Sequence, residues 1–293
     1  MEKLTIIIPC YNEEPGIQET LETLIRYSQK FDWKILVIDD GSTDNTPSIL
    51  SKFANSIQII THPVNKGYGA SLKTGLLSTK TNHIAFYDAD GQHRPEDLKS
   101  MYDKISDYDM LIGERGKNSH QDVFRKPGKW VLSKVANYLT NRKIPDLNSG
   151  LRVIKKEKII NLLHLFPDGF SFSTTSTIAF MYLSFKVDYL PIQVKKRKGI
   201  SSVKQIKHGS STLLLILRLI VLFNPLKVFL PFSFWMILIG IIYEIGFGII
   251  ILYPSVKLIP AAFFMILTGI LIFFFGLIAD QISAMRIHDT RNR

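Results

Sequence analysis

The chain reads as an α/β protein with a mostly parallel sheet, followed by a two-helix transmembrane hairpin. Two observations lead there. Over the first 115 residues, short apolar runs alternate with amphipathic stretches, the pattern of a sheet packed between helices. Near the C-terminus, residues 228–253 hold one charge, Glu244, and residues 258–279 hold none. Each run exceeds the roughly 20 apolar residues that a spanning helix needs. With 46% hydrophobic and 21% charged residues, and two such runs, a disordered chain and a wholly soluble globule are both excluded. A single cysteine, Cys10, excludes an internal disulfide framework and suits a reducing compartment.

Taken in order, residues 4–9, 35–38, 57–61, 83–87 and 110–112 are apolar runs expected as buried parallel strands. Helices are expected between them over 15–27, 44–54, 67–78 and 95–105. Pro15 and Pro95 suit first-turn positions, with acids nearby for the helix dipole. Further on, 126–141 reads as helix, 150–154 as strand, 173–185 as helix and 186–192 as strand. Residues 210–223 are apolar except Arg218 and too short to span comfortably. A helix lying in the membrane interface, with Arg218 snorkelling, is expected there, ended by Asn224-Pro225. The expected organisation is a cytosolic domain over 1–207, an interfacial helix over 208–227 and a two-span anchor with its tail over 228–293.

The net charge of +11 is unevenly placed. Residues 1–110 carry 11 Lys/Arg against 16 Asp/Glu, whereas residues 111–228 carry 21 against 6. A nucleic-acid binder can show such a basic block. Here it leads straight into the spans, so an anionic lipid surface is the expected partner and nucleic acid is not. Residues 1–14 show only the apolar run 4–9, with no basic leader or cleavage site, so the N-terminal part is expected in the cytosol. Lys/Arg are dense before the first span, Arg286, Arg291 and Arg293 follow the second, and Lys257 alone marks the turn. The positive-inside rule then places both termini in the cytosol.

Acids cluster where strands are expected to end, the edge at which open α/β sheets bind ligands. Asp88-Ala89-Asp90-Gly91-Gln92 follows an apolar run. Two carboxylates and a neutral amide oxygen suit Mg²⁺ or Mn²⁺, completed by water and phosphate; a solvated turn shows the same residues. Tyr11-Asn12-Glu13-Glu14 and Asp39-Asp40-Gly41-Ser42-Thr43-Asp44 end two further strands. So many acids require a cation or donor groups to offset them. Together the loops point to a nucleotide-diphosphate site with a metal. Gly67-x-Gly69 lacks a full dinucleotide fingerprint. The seven histidines form no metal spacing. Glu244, inside a span, is by default a functional candidate, or a carboxyl kept neutral or paired across a homo-oligomer interface formed by the spans.

Ile7-Ile8-Pro9-Cys10-Tyr11-Asn12-Glu13, Val37 through Asp44, Asn65-Lys66-Gly67-Tyr68-Gly69 and Asp88 through His93 resemble the successive signatures of family 2 glycosyltransferases with the GT-A fold. The similarity is greatest to polyprenyl-phosphate sugar synthases. The resemblance implies that Pro9, Tyr11, Glu13, Ile38 and Asp40 hold the nucleoside, with Lys66 a further donor contact. It places Asp88, Ala89 and Asp90 against the ribose and diphosphate, and makes Asp90 and Gln92 the metal ligands. Arg115, Lys129, Ser133 and Arg197 would bind the acceptor phosphate. Lys129-x-x-x-Ser133 departs from the Arg-x-x-x-Ser of related members, and lysine cannot make arginine's bidentate fork. Asp146, in Pro145-Asp146-Leu147-Asn148-Ser149-Gly150-Leu151-Arg152, resembles an acid beside the acceptor. It could take a proton or orient a cation. The implied activity is inverting transfer of one sugar from a nucleotide-diphosphate donor to polyprenyl phosphate, with Asp90, Asp146 and Arg197 in the catalytic set. Transfer to another membrane acceptor and a non-catalytic membrane adaptor stand as alternatives. An intact Asp88, Asp90 and Gln92 set speaks against the adaptor.

Overall fold

The computed structural model of the chain describes residues 4–116, 126–195, 209–246 and 259–291. β1 (Leu4–Cys10) is buried throughout, as its run of branched residues requires. α1 (Glu14–Phe31) starts with Pro15 in its first turn. It ends at Asp32, whose left-handed backbone (φ 55°) returns its N–H to the Ser28 carbonyl. There follow β2 (Trp33–Asp39), α2 (Thr46–Ser51), β3 (Gln58–Thr61), α3 (Tyr68–Ser78), β4 (His83–Phe86), α4 (Pro95–Lys104) and β5 (Met110–Arg115). After α5 (Lys126–Thr140) come β6 (Arg152–Lys155), α6 (Lys156–Ile160), α7 (Phe172–Tyr182) and β7 (Val187–Ile192).

The seven strands form one sheet in the order β3-β2-β1-β4-β6-β5-β7. Six run in one direction. β6 alone is reversed, antiparallel to both β4 and β5, with Arg152 opposite Phe86 and Ile112. Its first residues therefore lie at the edge where β1, β2, β4 and β5 end. One expectation fails: β3 is an edge strand with Gln58 and Thr61 exposed, because it has a neighbour on one side only. On the face covered by α1 and α4, the core packs Leu4, Ile6, Ile8, Leu21, Leu24, Val37, Leu98 and Leu111. Each buried aliphatic side chain there contributes roughly 1.5–3 kcal/mol.

Contacts divide the chain into Met1–Thr212 and Leu213–Arg293. α8 (Gly209–Phe223) therefore falls mostly in the second unit, with α9 (Leu226–Tyr243) and α10 (Pro260–Arg291). Within that unit the Ser283 hydroxyl donates to the Leu222 carbonyl at 2.6 Å. α9 and α10 approach closely at glycines. A Cβ on Gly240 would come within 2.8 Å of Ile266 Cγ1, and one on Gly269 within 2.6 Å of Ile237 Cγ1. Small residues of this kind let apolar helices pack backbone to backbone. Both helices are long and apolar enough to cross a membrane, over Leu226–Gly246 and Pro260–Ile287. Phe232, Phe234, Trp235, Phe263, Phe264 and Phe275 point outward. An apolar surface of this extent calls for a lipid or protein cover, and the pair forms a hairpin suited to membrane anchoring.

Glu244 directly follows α9, inside the first apolar span, and its carboxylate accepts from the Ile259 backbone N–H at 3.1 Å, just ahead of α10. α10 also continues as helix to Arg291, well past the expected end at residue 279. The expected outer turn, 254–257, lies outside the described residues.

Candidate active site

The loops after β1 and β2 are stitched together by their own polar groups. Asn12 sits at φ 52°, a left-handed conformation that asparagine tolerates. Its side-chain carbonyl accepts from Thr43 N at 2.8 Å and Asp44 N at 3.3 Å, while its N–H donates to Ser42 Oγ. Glu13 N donates to Thr46 Oγ1, and Glu14 N to Asp44 Oδ2. Asp39 Oδ1 accepts from Ser42 N. The buried Asp40 takes Lys66 N at 3.0 Å and Gly67 N at 2.8 Å, one on each oxygen. His62 Nδ1 lies 2.6 Å from Asp40 Oδ1, and His62 Nε2 lies 2.9 Å from Thr74 Oγ1. Much of the acidity the sequence gathers here is thus offset by backbone N–H groups and one buried histidine. Cys10 lies beneath this edge, and burial pushes its thiol up, which favours the neutral thiol.

Beyond β4, Asp88 is half-buried. It accepts from Tyr68 Oη at 3.3 Å and faces His93 Nε2 at 3.4 Å. Burial alone would raise its carboxyl; the His93 hydrogen bond and charge, helped by Tyr68 and Arg115, hold it below the usual value. Asp90 is buried and its Oδ1 accepts from Gln92 N at 3.1 Å. The Gln92 amide donates to the Lys195 carbonyl, and Lys195 N returns a bond to the Gln92 carbonyl. The carboxylates of Asp88 and Asp90 and the amide oxygen of Gln92 are hard oxygen ligands, the type that Mg²⁺ or Mn²⁺ takes. Among the described residues, no three His, Cys, Asp or Glu side chains form a closed metal cage.

The reversed β6 brings a second loop to the same edge. Arg115, ending β5, forms a bidentate pair with Asp146: Nε to Oδ2 at 2.7 Å and Nη2 to Oδ1 at 2.8 Å. Burial would raise the Asp146 carboxyl, but Arg115 and the Asn148 and Arg115 N–H groups hold it below its ordinary value. The Asp146 hydrogen bond and charge, joined by the charges of Asp88 and Asp90, favour the charged guanidinium of Arg115 against its own desolvation. A Cβ at Gly150 would fall 2.0 Å from Asp88 Oδ2, so only glycine leaves room for that carboxylate.

A third loop presses on the start of α3. Cβ atoms at Gly67 and Gly69 would meet the Asp168 and Pro167 carbonyl oxygens at 2.6 and 2.2 Å. Ala70 N donates to Asp168 O, and Lys73 Nζ lies 2.6 Å from Asp168 Oδ1. The two glycines therefore serve close backbone packing rather than a phosphate cradle. Tyr68, between them, stacks on Phe170 with centroids 5.5 Å apart and directs its hydroxyl to Asp88.

Of the residues singled out in the sequence, Pro9 and Ile38 are buried in β1 and β2, Ala89 is buried beside its two acids, and Tyr11 is half-buried. Lys66 is exposed, its backbone held by Asp40. Lys129 belongs to α5, where Ser133 is half-buried. Arg197 lies outside the described residues. His62 was not singled out, and Tyr68, Gly150 and Arg152 stood within the quoted signatures without a role of their own. Asp40 lies 22 residues from His62, and Asp88 lies 20 residues from Tyr68 and farther from Gly150, so no local spacing pairs them.

Residues 5–163 match the model of glycosyl transferase family 2, and residues 224–285 match the model described as the GtrB C-terminal hairpin. An uncharacterized protein of Methanocaldococcus jannaschii is 29% identical over 202 residues, 66% of this chain and 81% of its own. The dodecaprenyl-phosphate galacturonate synthase of Rhizobium johnstonii is 27% identical over 180 residues, 56% of this chain and 52% of its own. The chain thus spans about half the length of this named relative. Glucosyl-3-phosphoglycerate synthase from Mycobacterium tuberculosis, solved with Mn²⁺, UDP-glucose and phosphoglyceric acid, superposes with a TM-score of 0.59 at 16% identity, covering 74% of this chain and 80% of that one. That likeness shows the GT-A-like fold. With more than half its length matched by the family model, the chain belongs to glycosyl transferase family 2.

Proposed function

We propose that this chain is an inverting transferase. It moves a single sugar from a nucleotide-diphosphate donor, of the GDP-mannose or UDP-glucose type, to dolichyl or undecaprenyl phosphate at the cytosolic membrane face. The observation that carries the reading is the bidentate pair of Arg115 with Asp146, on the loop whose Gly150 packs against Asp88: a fixed cation held by the loop that seats an oxygen-donor motif, in a chain that carries a membrane hairpin. The names of relatives support it, several of them polyprenyl-phosphate sugar transferases.

In this reading Pro9, Tyr11, Glu13, Ile38, Asp40 and Lys66 form the nucleoside side of the site, and Asp88 with Ala89 flanks the ribose and diphosphate. Asp90 and Gln92 hold the divalent cation. When bound, Mg²⁺ or Mn²⁺ offsets charge on the departing diphosphate. Arg115, Lys129, Ser133 and Arg197 receive the acceptor phosphate. A phosphate monoester has a second pKa of about 6, so near neutrality its oxygen is already the nucleophile. It attacks the anomeric carbon in line, and the nucleoside diphosphate leaves with the bonding electron pair. No proton has to be taken. Asp146, held low by Arg115, therefore orients that guanidinium instead of serving as a base. The basic stretch 111–228 faces anionic lipid, which is consistent with both termini being cytosolic.

The test is a panel of radiolabelled nucleotide sugars offered to membranes carrying the chain, with Mn²⁺ and with or without added undecaprenyl phosphate. Label should enter a solvent-extractable lipid, in proportion to added polyprenyl phosphate, for one donor of the panel. Label entering polymer or a phosphate-free glycolipid contradicts the acceptor; no incorporation from any donor contradicts the activity.

A further inference from the structure

Arg152 opens β6 and is wholly buried. Among the described residues no carboxylate bonds it. Its Nε donates to the Ser149 carbonyl at 2.9 Å and its Nη2 to the Leu147 carbonyl at 3.3 Å. On the other side its Nη1 reaches Thr177 Oγ1 at 2.8 Å and Ser176 Oγ at 3.2 Å, both on α7. Those two hydroxyls donate their own hydrogens to the Ser173 carbonyl, so each turns a lone pair to the guanidinium. The charge is thus met by neutral groups alone, four oxygens and the Met110 sulfur at 3.9 Å from Nη1, an arrangement less favourable than a well-packed apolar side chain in a sheet core.

What the guanidinium gains is a grip on the loop between α5 and β6. Leu147 and Ser149 flank Asn148, whose N–H caps Asp146 at 3.2 Å and whose side chain takes the Thr174 hydroxyl at 2.6 Å. The same loop presents Asp146 to Arg115 and sets Gly150 against Asp88. We propose that Arg152 is a positioning residue for transfer: by clamping the Leu147 and Ser149 carbonyls to α7 it fixes both the Arg115–Asp146 pair and the seat of the Asp88 carboxylate. Arg152 touches no reacting atom in this scheme. The inference rests on the proposed transfer only in naming what is positioned; the clamp itself is a property of the loop.

The clamp is tested with full-length protein in lipid nanodiscs, comparing wild type with Thr177→Val and Arg152→Lys. Thr177→Val is nearly isosteric and keeps the arginine, so it loosens the anchor while sparing the core. Lysine keeps a charge but, as a point charge, cannot reach four acceptors on two sides. Backbone hydrogen exchange over residues 144–151 should quicken about tenfold or more in both variants, with β1, β2 and α1 unchanged. The turnover number on undecaprenyl phosphate, with the donor that wild type uses, should fall about tenfold or more. Affinity for UDP and GDP with Mn²⁺ should stay within about twofold. Unchanged exchange over the loop in both variants overturns the clamp, and so does a loss of nucleotide affinity by the same factor as turnover. Should wild type make no lipid product, hydrogen exchange still decides the clamp, and only the transfer reading has failed.

Discussion

Asp90→Asn bears on ligation more than on folding, because asparagine keeps an oxygen to accept from Gln92 N while it loses the charge and exchanges the second oxygen for an NH2 donor. Transfer should fall by a factor on the order of 10² or more, as when other electrostatic stabilisers of a leaving group are deleted. Gln92→Ala should cost on the order of tenfold in metal affinity. Turnover across a Mn²⁺ titration checks both, and full wild-type activity in chelator would contradict the metal role. Asp146 makes a second prediction. Its carboxyl is depressed by Arg115, so its contribution is complete above its ordinary value, near about 4, and is lost only as pH falls through the lower folded value. From pH 5 to 9 it keeps its charge. In the proposed transfer the acid limb should therefore follow the acceptor phosphate, at about pH 6. Asp146→Asn should slow transfer without moving that limb, and a more acidic phosphorothioate acceptor should shift it to lower pH. A limb that vanishes in Asp146→Asn would make Asp146 the base. Asp88, Asp90 and Gln92 were legible because they sit together where one apolar run stops. His62 and Tyr68 were not, since their partners Asp40 and Asp88 are 22 and 20 residues away and each looks ordinary beside its neighbours.

Elements were legible wherever a run of branched residues or an amphipathic stretch is itself the cause of the structure. β1, β2 and β4 come from such runs, and their parallel register follows from the helices between them. The reversal of β6 has no local cause. Residues 150–154 are equally apolar in either direction, and the choice is made by pairing with β4 and β5 on both sides. That choice brings Asp146, Gly150 and Arg152 to the edge where β1, β2, β4 and β5 end, so β6 was legible as a strand while its direction was not. The burial expected of β3 failed for a related reason: its place at the sheet edge is not written in its residues. Gly150→Ala tests what β6 delivers. The added methyl would stand 2.0 Å from Asp88 Oδ2, and the half-buried carboxylate has room to yield where backbone would not. The protein should fold with a thermal midpoint within a few degrees of wild type, while transfer falls about tenfold or more through displaced Asp88. Wild-type turnover in that variant would remove Asp88 from the site.

At the scale of the whole chain, the proposed reaction has to bring a sugar-nucleotide domain in water to an acceptor confined to a bilayer, and the C-terminal hairpin would offer the means. Truncation after Lys207 removes α8, α9 and α10 but none of the motif acids. The shortened chain should bind UDP or GDP with wild-type affinity by calorimetry, yet glycosylate long-chain acceptor poorly. Its basic stretch contributes about 1 kcal/mol per Lys/Arg held near anionic lipid. It should therefore bind anionic vesicles at low salt and release them at high salt, whereas the intact chain stays bound. Full-rate transfer to long-chain lipid in high salt by the truncated chain would contradict the anchoring role. The central claim is that a phosphate oxygen displaces the nucleoside diphosphate with inversion, and the product's own structure tests it most directly. Purified full-length protein in liposomes is given undecaprenyl phosphate, Mn²⁺ and the donor selected from the panel, and the lipid product is followed by phosphorus and proton NMR. The expected product is a phosphodiester bearing one sugar, with the anomeric configuration opposite to that of the donor. A retained anomer, or a sugar attached anywhere other than the phosphate, would contradict the mechanism.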